Sequence, residues 1–329
     1  AKASPPGPAT AADAAGGHES DSSPGVVPIA DAATNRDAAT APDTAADAAG
    51  GHESDSSTAP DTGFAAGCPA LSDYQFSREI FLKDIPAEAS GIAWNRDSDT
   101  FIIAANLQGR IWEYDRDLQM LLRSIPLVDM DMDTEGLAYL QDGWIAIAVE
   151  SNFIHVVRID ENTTSISGSS SEVQVYQPSA PPPRFNAGFE GVAFRRPRKG
   201  SPGRIFSCQE YSPMRVLQFD HLSGLPPFER KSHLNGTLVV EEPWDAEQAL
   251  SPYVNDVSGM TYDETNDTLL IVSQESSTVI RVEPGTGAVK ETLSLANTST
   301  SEGIALFDQC QMAIVSEPNR VQIYLPKNE

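Results

Sequence analysis

Four acidic residues crowd one short stretch of the chain, LVDMDMDTEGLAYL, at residues 127–140. Asp129, Asp131 and Asp133 occupy alternate positions, and Glu135 follows two residues later. Carboxylates this close repel one another unless a cation lies among them or water solvates each of them. The stretch therefore indicates either a metal site or a solvated loop, and the rest of the chain has to distinguish the two.

Part of this pattern recurs four more times along the chain. Each copy has Ser or Glu, then Gly, an aliphatic residue, Ala or Thr, and an aromatic residue or Leu. The five copies are ASGIAW (89–94), TEGLAY (134–139), FEGVAF (189–194), VSGMTY (257–262) and SEGIAL (301–306). The residues before the five glycines are Ser90, Glu135, Glu190, Ser258 and Glu302. After a turn, a second apolar segment follows each copy, and the polar residues that end these segments are Asn106, Glu150, Glu210, Glu275 and Glu317.

The elements that carry these residues are short apolar runs, rich in β-branched and aromatic side chains and separated by Asn, Asp, Gly and Pro, as is typical of strands. A repeat near 45 residues with several short strands is typical of a propeller blade. We therefore predict an all-β fold, a five-bladed β-propeller, with six blades as the alternative. The strand-like segment at 76–85 has no partner of its own, so we expect it to complete the fifth blade and close the ring. One short helix is expected at 244–250.

In a propeller blade the innermost strand starts on the face to which the second strand returns. The residues before the glycines would then form an inner ring at one mouth of the central channel, with the strand-end residues just outside it. Donors that are all oxygen favour a hard cation, and Ca²⁺ more than Mg²⁺ because Ca²⁺ accepts six to eight ligands in flexible geometry. The predicted ligands are Asn106, Asp133, Glu135, Glu150, Glu190, Glu210, Glu275, Glu302 and Glu317.

A simpler interpretation of the same residues needs no metal. Glu-Gly can be a turn formula in which the carboxylate caps backbone amides, while the outer glutamates are solvated at the rim. For a single glutamate this interpretation is the better one. For five repeats with polar residues at both strand ends, a shared functional face is favoured.

Residues 1–67 differ from the rest of the chain in composition. TAADAAGGHESDSS occurs at 10–23 and again at 44–57, and the segment contains no leucine. It has too few apolar side chains to offset the entropy of ordering. We predict a disordered, acidic, low-complexity N-terminal tail over 1–67 and the propeller domain over 71–329.

The balance of charge excludes several classes of partner. The chain has 47 acidic and 22 basic side chains, a formal net charge of −25. Nucleic acid is excluded because phosphate binding needs a basic surface, and a polybasic membrane role is excluded for the same reason. No apolar run is long enough to span a membrane. We expect a monomer whose partner is a small molecule or a protein.

In the basic loop RRPRKGSPGR (195–204), a solvated turn is preferred to a site for an anionic partner.

Three cysteines do not make a disulfide framework, and one bridge at most is possible. Cys68 and Cys310 come near each other if the fifth blade closes as predicted, and Cys208 fits a small core residue. Four N-x-[ST] sequons, at Asn162, Asn235, Asn266 and Asn297, favour an exported protein weakly. We expect a secreted or periplasmic location.

The ordered motifs SGIAWN, DTEGLAYL, NAGFEGVAF, DVSGMTYD, SQES, SEGIAL and VSEPN resemble those of the SdiA-regulated family of propellers, distant relatives of the NHL-repeat group. The resemblance covers roughly residues 75–326. It implies a five-bladed propeller with a calcium site in an extracytoplasmic setting, and it brings no established activity.

Two functions are compatible with these residues. The first is a ligand-binding or scaffold module whose Ca²⁺ is structural or captures an anionic ligand. The alternative is a Ca²⁺-dependent hydrolase of lactones, esters or phosphoesters, in which the ion polarises the substrate and orients a water molecule. None of His155, His221 and His233 ends a strand that faces the channel, so a general base is not evident and no catalytic residue is assigned.

Overall fold

A computed structural model describes residues 67–86, 88–170, 173–176, 188–199, 201–210, 213–220, 240–296, 300–308 and 310–327. The predicted disordered tail, except Gly67, lies outside these residues. The strands in chain order are Tyr74–Phe81 (β1), Ala89–Asn95 (β2), Thr100–Ala105 (β3), Arg110–Tyr114 (β4), Leu121–Val128 (β5), Thr134–Tyr139 (β6), Trp144–Val149 (β7), Phe153–Arg158 (β8), Ile166–Ser167 (β9), Val173–Tyr176 (β10), Phe189–Arg195 (β11), Arg204–Gln209 (β12), Arg215–Asp220 (β13), Gly259–Asp263 (β14), Thr268–Ser273 (β15), Thr278–Val282 (β16), Val289–Ser294 (β17), Ser301–Phe307 (β18), Gln311–Ser316 (β19) and Arg320–Pro326 (β20).

The described strands form five sheets, which are the blades of a β-propeller. Blade one has the order β2-β3-β4-β5-β9, blade two β10-β8-β7-β6, blade three β11-β12-β13, blade four β14-β15-β16-β17 and blade five β1-β20-β19-β18. The prediction of five blades is confirmed, and the six-bladed alternative is wrong. The short strand β9 joins blade one by pairing in parallel with β5, and the described strands form no sixth sheet.

The ring closes where the sequence predicts. Strand β1 pairs antiparallel with β20, so the first strand of the domain completes the last blade. A disulfide between Cys68 and Cys310 joins the segment before β1 to the β18–β19 hairpin of that same blade. The sequence separation across this bridge is 242 residues, so it ties the two ends of the propeller together.

Two short helices of the described residues lie outside the blades. A 3₁₀-helix spans Leu71–Asp73 and precedes β1. Helix α1, Ala246–Leu250, confirms the predicted helix, and the carboxylate of Asp245 caps it by accepting the backbone N–H of Gln248 at 2.9 Å. Among the described residues no helix is long and apolar enough to cross a membrane.

The core consists of five apolar clusters, each between two neighbouring blades. Ile92 of blade one packs with Val315 of blade five, for example, and Leu270 of blade four packs with Ile304 of blade five. Equivalent clusters join blades one and two, two and three, and three and four. Because every blade buries both faces against neighbours, its central strands are apolar along their whole length rather than alternating.

The five motif glycines let the inner strands approach closely at the channel. A side chain on Gly136 would place its Cβ 2.5 Å from the Glu190 carbonyl oxygen, and one on Gly303 would come within 2.6 Å of the Ser90 carbonyl oxygen. Gly91 faces Glu135, Gly191 faces Gly259, and Gly259 faces Glu302 in the same way. Each motif glycine therefore packs on the motif backbone of the next blade, and the contacts run once around the ring.

We expect Gly136→Ala to lower the free energy of unfolding by about 3 kcal/mol, because the added methyl group meets backbone atoms that cannot move without separating two blades. Urea denaturation followed by circular dichroism measures the change. Gly285→Ala is the matched control, since a Cβ there meets no atom within 4 Å, and it should change stability by less than about 0.5 kcal/mol. Equal losses in the two variants would contradict this account of the ring.

Candidate metal centre

The residues before the motif glycines lie at β-bulges. In blades one, two, three and five the strand register shifts at Ser90, Glu135, Glu190 and Glu302, so each is an extra residue opposite its neighbouring strand. A bulge bends the strand and turns the side chain away from the regular alternation. This is the local device that lets an inner strand, buried on both faces, present a carboxylate at the channel mouth.

Three of the predicted ligands converge closely. One carboxylate oxygen each from Glu135, Glu150 and Glu190 lie within 4.8 Å of one another. Glu135 and Glu190 are 7% and 9% exposed, respectively, while Glu150 is half-buried. These carboxylates come from blades two and three, so the cluster bridges two blades.

Asn106 of blade one is the hydrogen-bonding partner of this cluster. Its side-chain Nδ2 donates to Oε1 of Glu135 at 2.8 Å. Its Oδ1 is buried and has no hydrogen-bond partner among the described residues. An amide oxygen in that position is a ligand type that Ca²⁺ accepts, so the donor set of three carboxylates and one amide fits a hard cation.

The remaining acids of the mouth act on these three through their charges. Burial raises the pKa of Glu135 well above its ordinary value, and Glu302, Glu150, Asp133 and Glu317 add to the effect. Burial raises the pKa of Glu190 as well, with contributions from Glu135, Glu150 and Glu210. Within the described ranges, no lysine or arginine forms an ion pair with Glu135, Glu150 or Glu190. Among the described residues, the cluster is thus held by the fold without an ion pair to a positive charge.

Glu302 and Glu317 occupy the blade-five side of the mouth. The pKa of Glu302 is raised to about 8, mainly by burial and additionally by the charges of Glu317, Glu210 and Asp256. Burial and Glu88 raise the pKa of Glu317. Asp133 is half-buried, and its pKa is raised by burial, Glu150 and Asp131.

Not every predicted position faces the mouth in the same manner. The serines of the inner ring tie blades together, since Ser90 Oγ donates to the Thr134 carbonyl and Ser258 Oγ to the Ser301 carbonyl, both at 2.7 Å. The side chain of Glu275 is exposed, while its backbone N–H faces the interior. Its assignment as a ligand stays a prediction.

Asp256 is a buried acid that precedes β14 of blade four, and it is not among the predicted ligands. Its carboxylate accepts the backbone N–H groups of Gln274 and Glu275, both at 3.1 Å, and the hydroxyl of Ser273. Asp256 is fully buried. Its hydrogen bonds to the backbone fix the turn after β15, in which the Glu275 side chain is exposed. A signal was present, because DVSG at 256–259 aligns with DTEG at 133–136 and places an acid three residues before the glycine in both.

The other residues considered for chemistry lie elsewhere. Asp129 is exposed at the start of the β5–β6 loop, and Asp131 accepts the backbone N–H of Asp133 at 3.2 Å. His155 is buried in β8, and burial lowers its pKa. His221 and His233 lie outside the described residues.

These features define a five-bladed β-propeller with a carboxylate-lined channel mouth. The chain belongs to the SdiA-regulated family, whose model matches residues 69–323. This confirms the resemblance of the motifs and the family assignment drawn from them.

Several solved structures are similar to this chain. A luciferin-regenerating enzyme is 9% identical, with a TM-score of 0.46, over 75% of this chain and 94% of that chain. A gluconolactonase from Xanthomonas campestris is 13% identical, with a TM-score of 0.45, over 78% and 91%. A streptogramin B lyase is 14% identical, with a TM-score of 0.39, over 75% and 68%. Values this low carry no argument about function.

The stability of metal-depleted protein should depend on pH with a definite sign. The folded pKa of Glu302, about 8, lies above its ordinary 4.5, so its stabilising contribution is complete below about pH 4.5 and is lost as the pH rises through 8. We expect the free energy of unfolding, measured by urea denaturation after removal of divalent ions, to fall from pH 5 to pH 8.

Glu302→Gln should flatten part of this dependence, because the amide does not ionise, whereas Glu275→Gln at an exposed position should leave it unchanged. A wild-type stability that rises over the same pH range would contradict the assigned burial of these acids.

Proposed function

We propose that the protein binds Ca²⁺ at the acidic mouth of the channel and acts as a ligand-binding or scaffold module. The observation that carries the proposal is the approach of Glu135, Glu150 and Glu190 to within 4.8 Å, with no ion pair to a basic side chain among the residues that the structure describes. Unpaired ionised carboxylates at this separation are costly, so the arrangement is stable either with protons or with a cation. At neutral pH in the presence of Ca²⁺, the cation is the better competitor.

The ion would also act on the fold, because its candidate ligands belong to different blades. Asn106 comes from blade one, Glu135 and Glu150 from blade two, and Glu190 from blade three. A shared ion would hold three blades together at the mouth and leave the opposite end of the channel unaffected. Glu210, Glu302, Glu317 and Asp133 would supply negative potential around it, and their direct coordination is part of the proposal rather than an observation.

We expect Ca²⁺ to raise the melting temperature of metal-depleted protein, since an ion that binds only the folded state at 100 times its Kd stabilises by about 2.7 kcal/mol. Mg²⁺ should give a smaller rise, because it requires stricter geometry and fewer ligands. Differential scanning fluorimetry with each ion in titration measures both effects.

Glu135→Gln/Glu190→Gln separates the metal from the fold. The double variant should keep a metal-free stability close to that of wild type, because each amide replaces an acid that burial favours in its protonated form, and it should gain little from Ca²⁺. Glu275→Gln should respond to Ca²⁺ like wild type. A double variant that still responds fully, or a wild type with no response, would overturn the calcium proposal.

The disulfide supports an extracytoplasmic setting. Disulfides form and persist in oxidising compartments and are rare in the cytosol. The Cys68–Cys310 bridge leaves the buried Cys208 as the one unpaired cysteine of the three. Of the sequons in the described residues, Asn162 is exposed, whereas Asn266 already donates its amide to the Cys68 carbonyl and to Asp263, both at 2.9 Å.

Thiol titration in denaturant checks the bridge. Protein purified without reductant should yield one reactive thiol per chain, and reduced protein should yield three. Reduction should also lower the melting temperature, because a cross-link over a long loop restricts the unfolded chain. Three thiols before reduction would remove this support for export.

A Ca²⁺-dependent hydrolase is the alternative that the sequence leaves open, and it stays a prediction. The single histidine of the described propeller residues, His155, lies in β8, and the nearby acid that acts on its pKa is Asp131. Assays of calcium-loaded protein with lactones, carboxylic esters and phosphoesters decide between the module and the hydrolase.

A further inference from the structure

The channel mouth opposite the carboxylates has a different chemistry. The far ends of the inner strands enclose a cavity of about 60 Å³ there. Its walls include Trp94, Tyr139, Phe194 and Tyr262, and the charged groups that line it are Arg96 and Glu264. This volume accommodates about two water molecules, which suits the head group of a ligand rather than a whole one.

Arg96 lies against the aromatic wall. Its guanidinium carbon is 5.7 Å from the centroid of the Tyr139 ring, a cation–π geometry. Arg96 is exposed to solvent. The protein atoms around its guanidinium nevertheless lower its pKa by burial, and the charge of Arg196 lowers that pKa further. The group stays protonated at neutral pH because a guanidinium does not lose its proton in proteins.

The basic loop that follows β11 supplies two further guanidinium groups. The carboxylate of Glu264 accepts the backbone N–H of Arg196 at 2.6 Å, and Glu264 also lies 3.6 Å from Arg196 Nε and 3.3 Å from Arg198. One carboxylate is thus shared by the loop backbone and two arginines. The loop is held by the neighbouring blade rather than being only a solvated turn.

The other acids of this mouth are also engaged. Asp97 accepts the hydroxyl of Tyr139 and the backbone N–H of Asp142. Asp267 accepts the hydroxyl of Tyr262 and pairs with Arg198 at 2.9 Å. Within the described part of the chain, no hydrogen bond or ion pair satisfies the donors of the Arg96 guanidinium. It is a planar set of donors at the opening of a small cavity.

We propose that this mouth is a binding site for a small oxyanion, a carboxylate or phosphate group, held by the guanidinium of Arg96 against the Tyr139 ring. A guanidinium matches such groups with two parallel hydrogen bonds, and Arg196 adds positive potential from the side. The overall charge of −25 opposes anion entry, but salt near 0.15 M screens charges beyond about 8 Å. The site is independent of the calcium proposal, since it lies at the other mouth.

The test is a titration of the full-length protein with sodium phosphate and, separately, sodium acetate, against sodium chloride at constant ionic strength. The readouts are isothermal calorimetry and the NMR signal of the Arg96 Nε–H. We expect saturable binding of at least one oxyanion that moves this signal. Whether phosphate or acetate binds shows whether the site takes a phosphate or a carboxylate group. Absence of saturable binding by both anions would overturn the proposal.

Variants assign the binding to Arg96. Arg96→Gln should weaken it at least tenfold, whereas Arg320→Gln, at an exposed arginine paired with Glu79 on another blade surface, should not change it. Glu264→Gln should strengthen it, because a competing negative charge is removed from the cavity. This opposite direction keeps the test decisive if Arg96→Gln folds poorly. Binding that is the same in Arg96→Gln and wild type, or weaker in Glu264→Gln, would contradict the site.

Discussion

The close contact between each motif glycine and the motif backbone of the next blade is the constraint on which the rest of the propeller depends. The residue before the glycine provides that backbone in four of the five contacts, and the ring runs from Gly91 to Glu135, Gly136 to Glu190, Gly259 to Glu302 and Gly303 to Ser90. Each contact fixes the position of a β-bulge, and the bulge sets the direction of the side chain that precedes the glycine. Ring closure and placement of the carboxylates therefore have one physical origin.

This arrangement of the inner strands has an electrostatic cost, because it places several acids at one mouth of the channel. No described basic side chain pairs with Glu135, Glu150 or Glu190. Burial raises the pKa values of Glu135, Glu190 and Glu302, so a metal-free mouth retains protons at pH values where an exposed glutamate is ionised. Protons and cations then compete for the same oxygens. The opposite mouth differs in both charge and surface, with Arg96 and aromatic rings around a small cavity.

Much of this architecture could be predicted from the sequence, and particular residues show where prediction stopped. The five glycine motifs predicted the blades, and segment 76–85 predicted the closing strand that became β1. Glu275 was predicted as a ligand and Asp256 was not, although both are acids near a strand end, because only the folded turn shows which of them is buried. The inner-ring serines occupy the same motif position as the glutamates, and their short side chains donate to the backbone of the next blade.

From the sequence alone, the all-β propeller class, five blades with six as the alternative, and the closing strand could be predicted. These follow from local periodicity and from a repeated motif, both of which are properties of neighbouring residues along the chain. The folded chain was needed to show that Glu135, Glu150 and Glu190 converge, that Asn106 Oδ1 has no hydrogen-bond partner among the described residues, and that Arg96 lies against the Tyr139 ring at the other mouth. Those facts depend on bulges, blade-to-blade approach and competition for partners, which involve residues far apart in the chain.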